Sequence, residues 1–62
     1  MTWERTTSGS SITWEAFVGG ASVATILHER GSHAWWLWLP ASPDGVQFGS
    51  LAAARKAAET HA

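Results

Sequence analysis

The dipeptide Gly19-Gly20 constrains this chain more than any other feature. Two consecutive residues that accept positive φ are what a two-residue type I′ turn requires. They stand between two runs rich in β-branched and aromatic side chains, Ile12 to Val18 and Ala21 to Glu29. The pattern predicts an antiparallel hairpin with Val18 facing Ala21, Ala16 facing Val23, Trp14 facing Thr25 and Ile12 facing Leu27. Those side chains share one face, which places Phe17, Ala24 and Ile26 on the other.

Further strands follow from the same signals. Thr2 to Thr7 is Thr-rich and runs into the turn-forming Ser8-Gly9-Ser10, so it reads as a short first strand. After a turn at Arg30-Gly31-Ser32, Ala34 to Leu39 forms another strand, which Pro40 ends. Ala41 to Gly49 contains Pro43, Asp44, Gly45 and Gly49 and reads as a loop. Ser50 is an N-cap for a helix from Leu51 to about Thr60, with Arg55 and Glu59 spaced i,i+4. Ala53 occupies the position where a capping box would have Glu or Gln. The expected fold is α+β: a single domain over residues 1–62, in which an antiparallel meander of three to four strands has one C-terminal helix on one face.

A turn centred on Arg30-Gly31 sets Trp36 opposite Thr25 and Trp38 opposite Val23. A turn at Ser8-Gly9 brings Trp3 beside Trp14. One face is then Trp-rich, and the other holds Phe17, Ala24, Ile26, Trp35, Leu37 and Leu39. A helix of about ten residues covers one face alone, and Leu51, Ala54 and Ala58 suit the aliphatic one. This leaves Trp14, Trp36 and Trp38, rimmed by Trp3 and Arg5, as the expected binding surface. A register slip of one residue would exchange the faces and make the Trp rings the core.

Composition removes several classes of function. The 62 residues hold four Lys+Arg, five Asp+Glu and no Cys, which excludes a disulfide framework and thiolate metal sites. The longest apolar run, Ala34 to Ala41, is too short to span a bilayer and is broken by Pro40. Met1 to Arg5 has no secretory signal pattern, so a cytoplasmic location without membrane attachment is expected. His28 and His33 flank a turn and could supply two metal ligands, but no third is at hand, and they read as edge imidazoles. No metal and no cofactor are expected. Neither a nucleophile motif nor a phosphate-binding Gly loop is present, so the chain reads as a binding module rather than an enzyme.

Nucleic acid is the rival partner, because a small sheet with a C-terminal helix has the shape of AP2-type and integrase arm-binding domains. Four basic residues and a net charge of −1 argue against it. Self-association through the uncovered face, giving a homodimer, is a third expectation.

The runs Ala16 to Ala24, Trp35 to Leu39 and Ser50 to Glu59 together resemble the small single-domain proteins of phages and prophages. That resemblance implies an inhibitor, of anti-CRISPR or other anti-defence type, that occludes a host or defence-system protein. It brings no catalytic residue with it. The near balance of acidic and basic residues departs from DNA mimicry and implies an apolar contact surface.

Overall fold

The computed structural model describes residues 1–61, with the side chains of Ser42 and His61 outside the description. Five strands, β1 (Thr2–Ser8), β2 (Ser11–Val18), β3 (Ala21–Glu29), β4 (Trp35–Leu39) and β5 (Ser42–Phe48), form one antiparallel sheet in the order β1-β2-β3-β4-β5. A helix, α1 (Leu51–His61), follows. The α+β meander is thus present with five strands rather than three to four. The extra one is β5, from the segment that reads as a loop in sequence. Pro43 is tolerated because β5 is an edge strand with one side free of pairing. Its pairing with β4 is irregular between Leu37 and Leu39.

Gly19 and Gly20 have φ of 59° and 81°, and Val18 pairs with Ala21 across them as the sequence predicts. Phe17 then pairs with Ser22 but Ala16 pairs with Ala24, so Val23 has no opposite number in the ladder. This β-bulge shifts the remaining register by one residue, which moves every side chain of β2 before it to the other face relative to β3. Trp14 therefore faces Ile26, not Thr25, and Ile12 faces His28, not Leu27. Phe17 faces away from the helix side instead of towards it.

At the next connection, residues 30–34 make a longer turn than Arg30-Gly31 alone. Ser32 N–H donates to Glu29 O (3.0 Å) and Ala34 N–H to Ser32 Oγ (3.1 Å). Trp38 consequently pairs with Thr25 and Trp36 with Leu27, a shift of two residues that leaves both on the expected face.

The helix begins where Ser50 Oγ accepts a hydrogen bond from Ala53 N–H (3.1 Å), an N-cap. It crosses β3, β4 and β5. Ala54 and Ala58 are fully buried there, because a methyl side chain lets the helix backbone approach the sheet closely. Among the described residues the buried core is Ala16, Ala24, Ile26, Leu37, Ala54 and Ala58, with Ile26 and Leu37 its large side chains. Trp3, Trp14, Trp35, Leu39, Phe48 and Leu51 pack around it. No helix among the described residues is long and apolar enough to cross a membrane.

Candidate functional site

The bulge at Val23 divides the tryptophans between the two sides of the sheet. Cross-strand partners point to the same side, so the pairings define rows. On the helix side these are Trp3, Ala16, Ala24; then Arg5, Trp14, Ile26, Leu37, Val46; then Thr7, Ile12, His28. The open side has Thr2, Phe17, Ser22; then Glu4, Glu15, Thr25, Trp38; then Thr6, Thr13, Leu27, Trp36, Gln47; then Ser8, Ser11, Glu29. The five residues expected to share one surface are therefore separated: Trp3, Arg5 and Trp14 lie on the helix side, Trp36 and Trp38 on the open side.

On the helix side the rings have partners within the chain. The Arg55 guanidinium lies 5.1 Å from the Trp3 ring centroid and 5.8 Å from that of Trp14, and Arg5 lies 5.9 Å from Trp14. Arg55 leaves the helix toward the β1–β2 end of the sheet, where its guanidinium meets the faces of two indoles. Trp3 Nε1 is buried without a hydrogen-bond partner among the described residues. Trp35, next to Leu37 in the core, stacks on His28 with centroids 3.7 Å apart and planes 7° apart, while His28 Nδ1–H donates to Ala34 O (2.9 Å). That ring is thus engaged in the β3–β4 corner, and His33 stands exposed in the turn. Among the described residues no group of three or more His, Asp or Glu side chains could hold a metal ion.

Among the described residues, no helix lies over the open side. Trp36 and Trp38 sit two residues apart on β4, with centroids 6.4 Å apart and planes inclined by 29°. Trp36 is 39% exposed, the most exposed tryptophan of the chain. Trp38 lies against Gly45, which has φ of 82°. A Cβ at that position would fall 2.9 Å from Trp38 Nε1 and 3.0 Å from its Cε2. The missing side chain at Gly45 makes room for this indole beside edge strand β5. Two shallow hollows of about 180 Å³ flank the pair. One is lined by Leu27, Glu29, Ser32, Ala34 and Trp36, the other, at the gap between the start of β3 and the end of β4, by Ser22, Val23, Ala24, Thr25, Trp38, Leu39 and Pro40. Both are smaller than the roughly 300–1,000 Å³ typical of small-molecule sites.

Sequence reasoning located the two β4 tryptophans on the uncovered side but missed several of their neighbours. Leu27 is there as expected, but Gln47 and the carboxylates of Glu4 and Glu15 join them, while Trp14 leaves. The alternation within each strand was visible, but the bulge that sets one strand against the next has no signal in Ser22-Val23-Ala24. No family model matches this chain, and no curated protein or solved structure matches it either.

Proposed function

We propose that the chain is a non-enzymatic module that binds a protein partner through the open side of its sheet, with Trp36 and Trp38 at the centre of the contact. The observation that supports this is a neighbouring pair of indoles, one of them 39% exposed, on a face that the fold does not cover. Tryptophan is enriched among interface hot spots because it buries a large area with few rotatable bonds. The hollows on either side of the pair are too shallow to enclose a small substrate but suit side chains of a macromolecule. Trp3, Arg5 and Trp14 belong to the other side and are not part of this contact.

Nucleic acid is a poorer fit than protein. The open rows include Glu4, Glu15 and Glu29 and no Lys or Arg, whereas phosphate binding needs cations on the contact face. In the setting that the phage-type resemblance implies, a cytoplasmic host or defence-system protein would be the one occluded.

A face-specific crosslinking experiment tests the reading. A photo-crosslinking amino acid is placed at Gln47, on the open side, or at Lys56, exposed on the helix. A defined partner crosslinked from position 47 and not from 56 is the expected result. Crosslinks arising from position 56 alone, or from neither position in the native host, would overturn it.

A further inference from the structure

The charges of this small chain are distributed unequally between the two sides of the sheet. The rows of the open side contain three of the five acidic residues, Glu4, Glu15 and Glu29, and no basic residue. The four cations are elsewhere. Arg5 and Arg55 lie on the helix side against Trp14 and Trp3, Lys56 is exposed on α1, and Arg30 is in the β3–β4 turn. Glu4 and Glu15 are direct cross-strand partners, an arrangement of like charges that weakens a sheet. Their row continues through Thr25 to Trp38.

Strands in a sheet lie about 4.8 Å apart, so the Glu15 and Trp38 backbones are about 10 Å apart with the short Thr25 side chain between them. Thr25 and Trp38 also line one of the two hollows. The carboxylates of Glu4 and Glu15 at one end of this row and the indole pair of β4 at the other give the face the two kinds of group that hold a guanidinium. The helix side of the same molecule shows how its indoles take a guanidinium, with Arg55 between Trp3 and Trp14. Among the described residues, no guanidinium of this chain stands over Trp36 or Trp38.

We infer that the partner presents a basic segment to this face, its arginines meeting the Glu4 and Glu15 carboxylates beside the Trp36 and Trp38 indoles. This rests on the docking face proposed above and adds the chemistry of what it takes. The argument is charge complementarity. A partner surface with arginines relieves the repulsion between Glu4 and Glu15 on binding, whereas an acidic or purely apolar one leaves it in place.

The test is a titration of the ¹⁵N-labelled chain, followed by NMR, with a capped pentapeptide of alternating glycine and arginine. The same peptide with glutamate, and with leucine, replacing arginine serves for comparison. The arginine peptide is expected to shift the Trp38 and Trp36 indole N–H signals and the Thr25 and Glu15 amides, with the glutamate peptide giving no such shifts. Glu15→Gln is expected to weaken this binding by about threefold to fivefold, in keeping with loss of one exposed ion pair. Added salt should weaken it as well. The conservative exchange removes a repulsion, so its fold, checked by circular dichroism, is expected to be intact. Equal affinity of the Glu15→Gln chain, or shifts confined to Trp3 and Trp14, would overturn the inference. Shifts of Trp36 and Trp38 by the leucine peptide alone would refute the basic partner while leaving the docking face standing. Silence of that face with all three peptides also counts against a basic ligand, and the crosslinks from position 47 then decide separately whether the face docks a protein at all.

Discussion

Gly45→Ala should unseat Trp38, and Gly31→Ala makes the effect measurable. Both glycines have nearly the same backbone, with φ of 82° at Gly45 and 86° at Gly31. An alanine in this left-handed region costs about 1–2 kcal/mol in either place. The surroundings differ: a Cβ at Gly31 meets nothing within 4 Å, whereas at Gly45 it falls 2.9 Å from Trp38 Nε1 and 3.0 Å from Cε2. An indole is rigid and must move as a whole, a displacement comparable to overpacking and worth a further ~1–3 kcal/mol. For a domain of this size each 1 kcal/mol moves the thermal midpoint by about 4–8 °C. Gly45→Ala should therefore melt at least ~4 °C below Gly31→Ala. Thermal unfolding followed by far-ultraviolet circular dichroism gives the difference, and the near-ultraviolet spectrum, sensitive to fixed indoles, should change for Gly45→Ala and not for Gly31→Ala. Coincident midpoints with unaltered near-ultraviolet spectra would show that Trp38 does not rest on Gly45.

Three further outcomes follow from the rows, the cap and the guanidinium. Glu15→Thr removes the like-charge pair with Glu4 and adds a strand-favouring residue, so the midpoint should rise by about 1–8 °C in a thermal melt. Ser50→Ala deletes the acceptor for Ala53 N–H and should lower unfolding free energy by about 0.5–2 kcal/mol in urea titration. Arg55→Ala withdraws the cation from between Trp3 and Trp14, lowering stability by about 1 kcal/mol and altering tryptophan fluorescence, while binding at the open side stays unchanged.

The elements that local chemistry specifies were legible in the sequence. Gly19-Gly20 announces its turn, Ser50 announces the start of α1, and the small residues Ala54 and Ala58 announce the face that meets the sheet. Strand β5 was not legible because Pro43, Asp44 and Gly45 have the composition of a loop. What makes it a strand is non-local: Val46, Gln47 and Phe48 find Leu37, Trp36 and Trp35 on β4, and the proline sits at a free edge. The bulge at Val23 mattered more. A one-residue slip exchanges faces, so it turned Trp3 and Trp14 toward the helix while Trp36 and Trp38 stayed on the open side. The two opposed readings of the sequence, tryptophans as core and tryptophans as surface, each describe one half of the sheet.

The division of the tryptophans is tested most directly by comparing Trp36→Ala with Trp14→Ala, recording the thermal midpoint and the affinity for the partner crosslinked from position 47. Trp14 packs against the core and its truncation should remove ~3–5 kcal/mol of folding stability, a large share of the roughly 3–9 kcal/mol available to a chain this short. Trp36 is 39% exposed, and losing its cross-strand and Trp38 contacts should remove about 1–2 kcal/mol. Truncating it at the centre of an interface should weaken binding by ~2 kcal/mol or more, about thirtyfold. A folded Trp36→Ala chain with affinity reduced to that extent, beside a largely unfolded Trp14→Ala chain, is the expected result. A Trp36→Ala chain that unfolds as readily as Trp14→Ala, or that folds and binds as well as the unaltered protein, would contradict it.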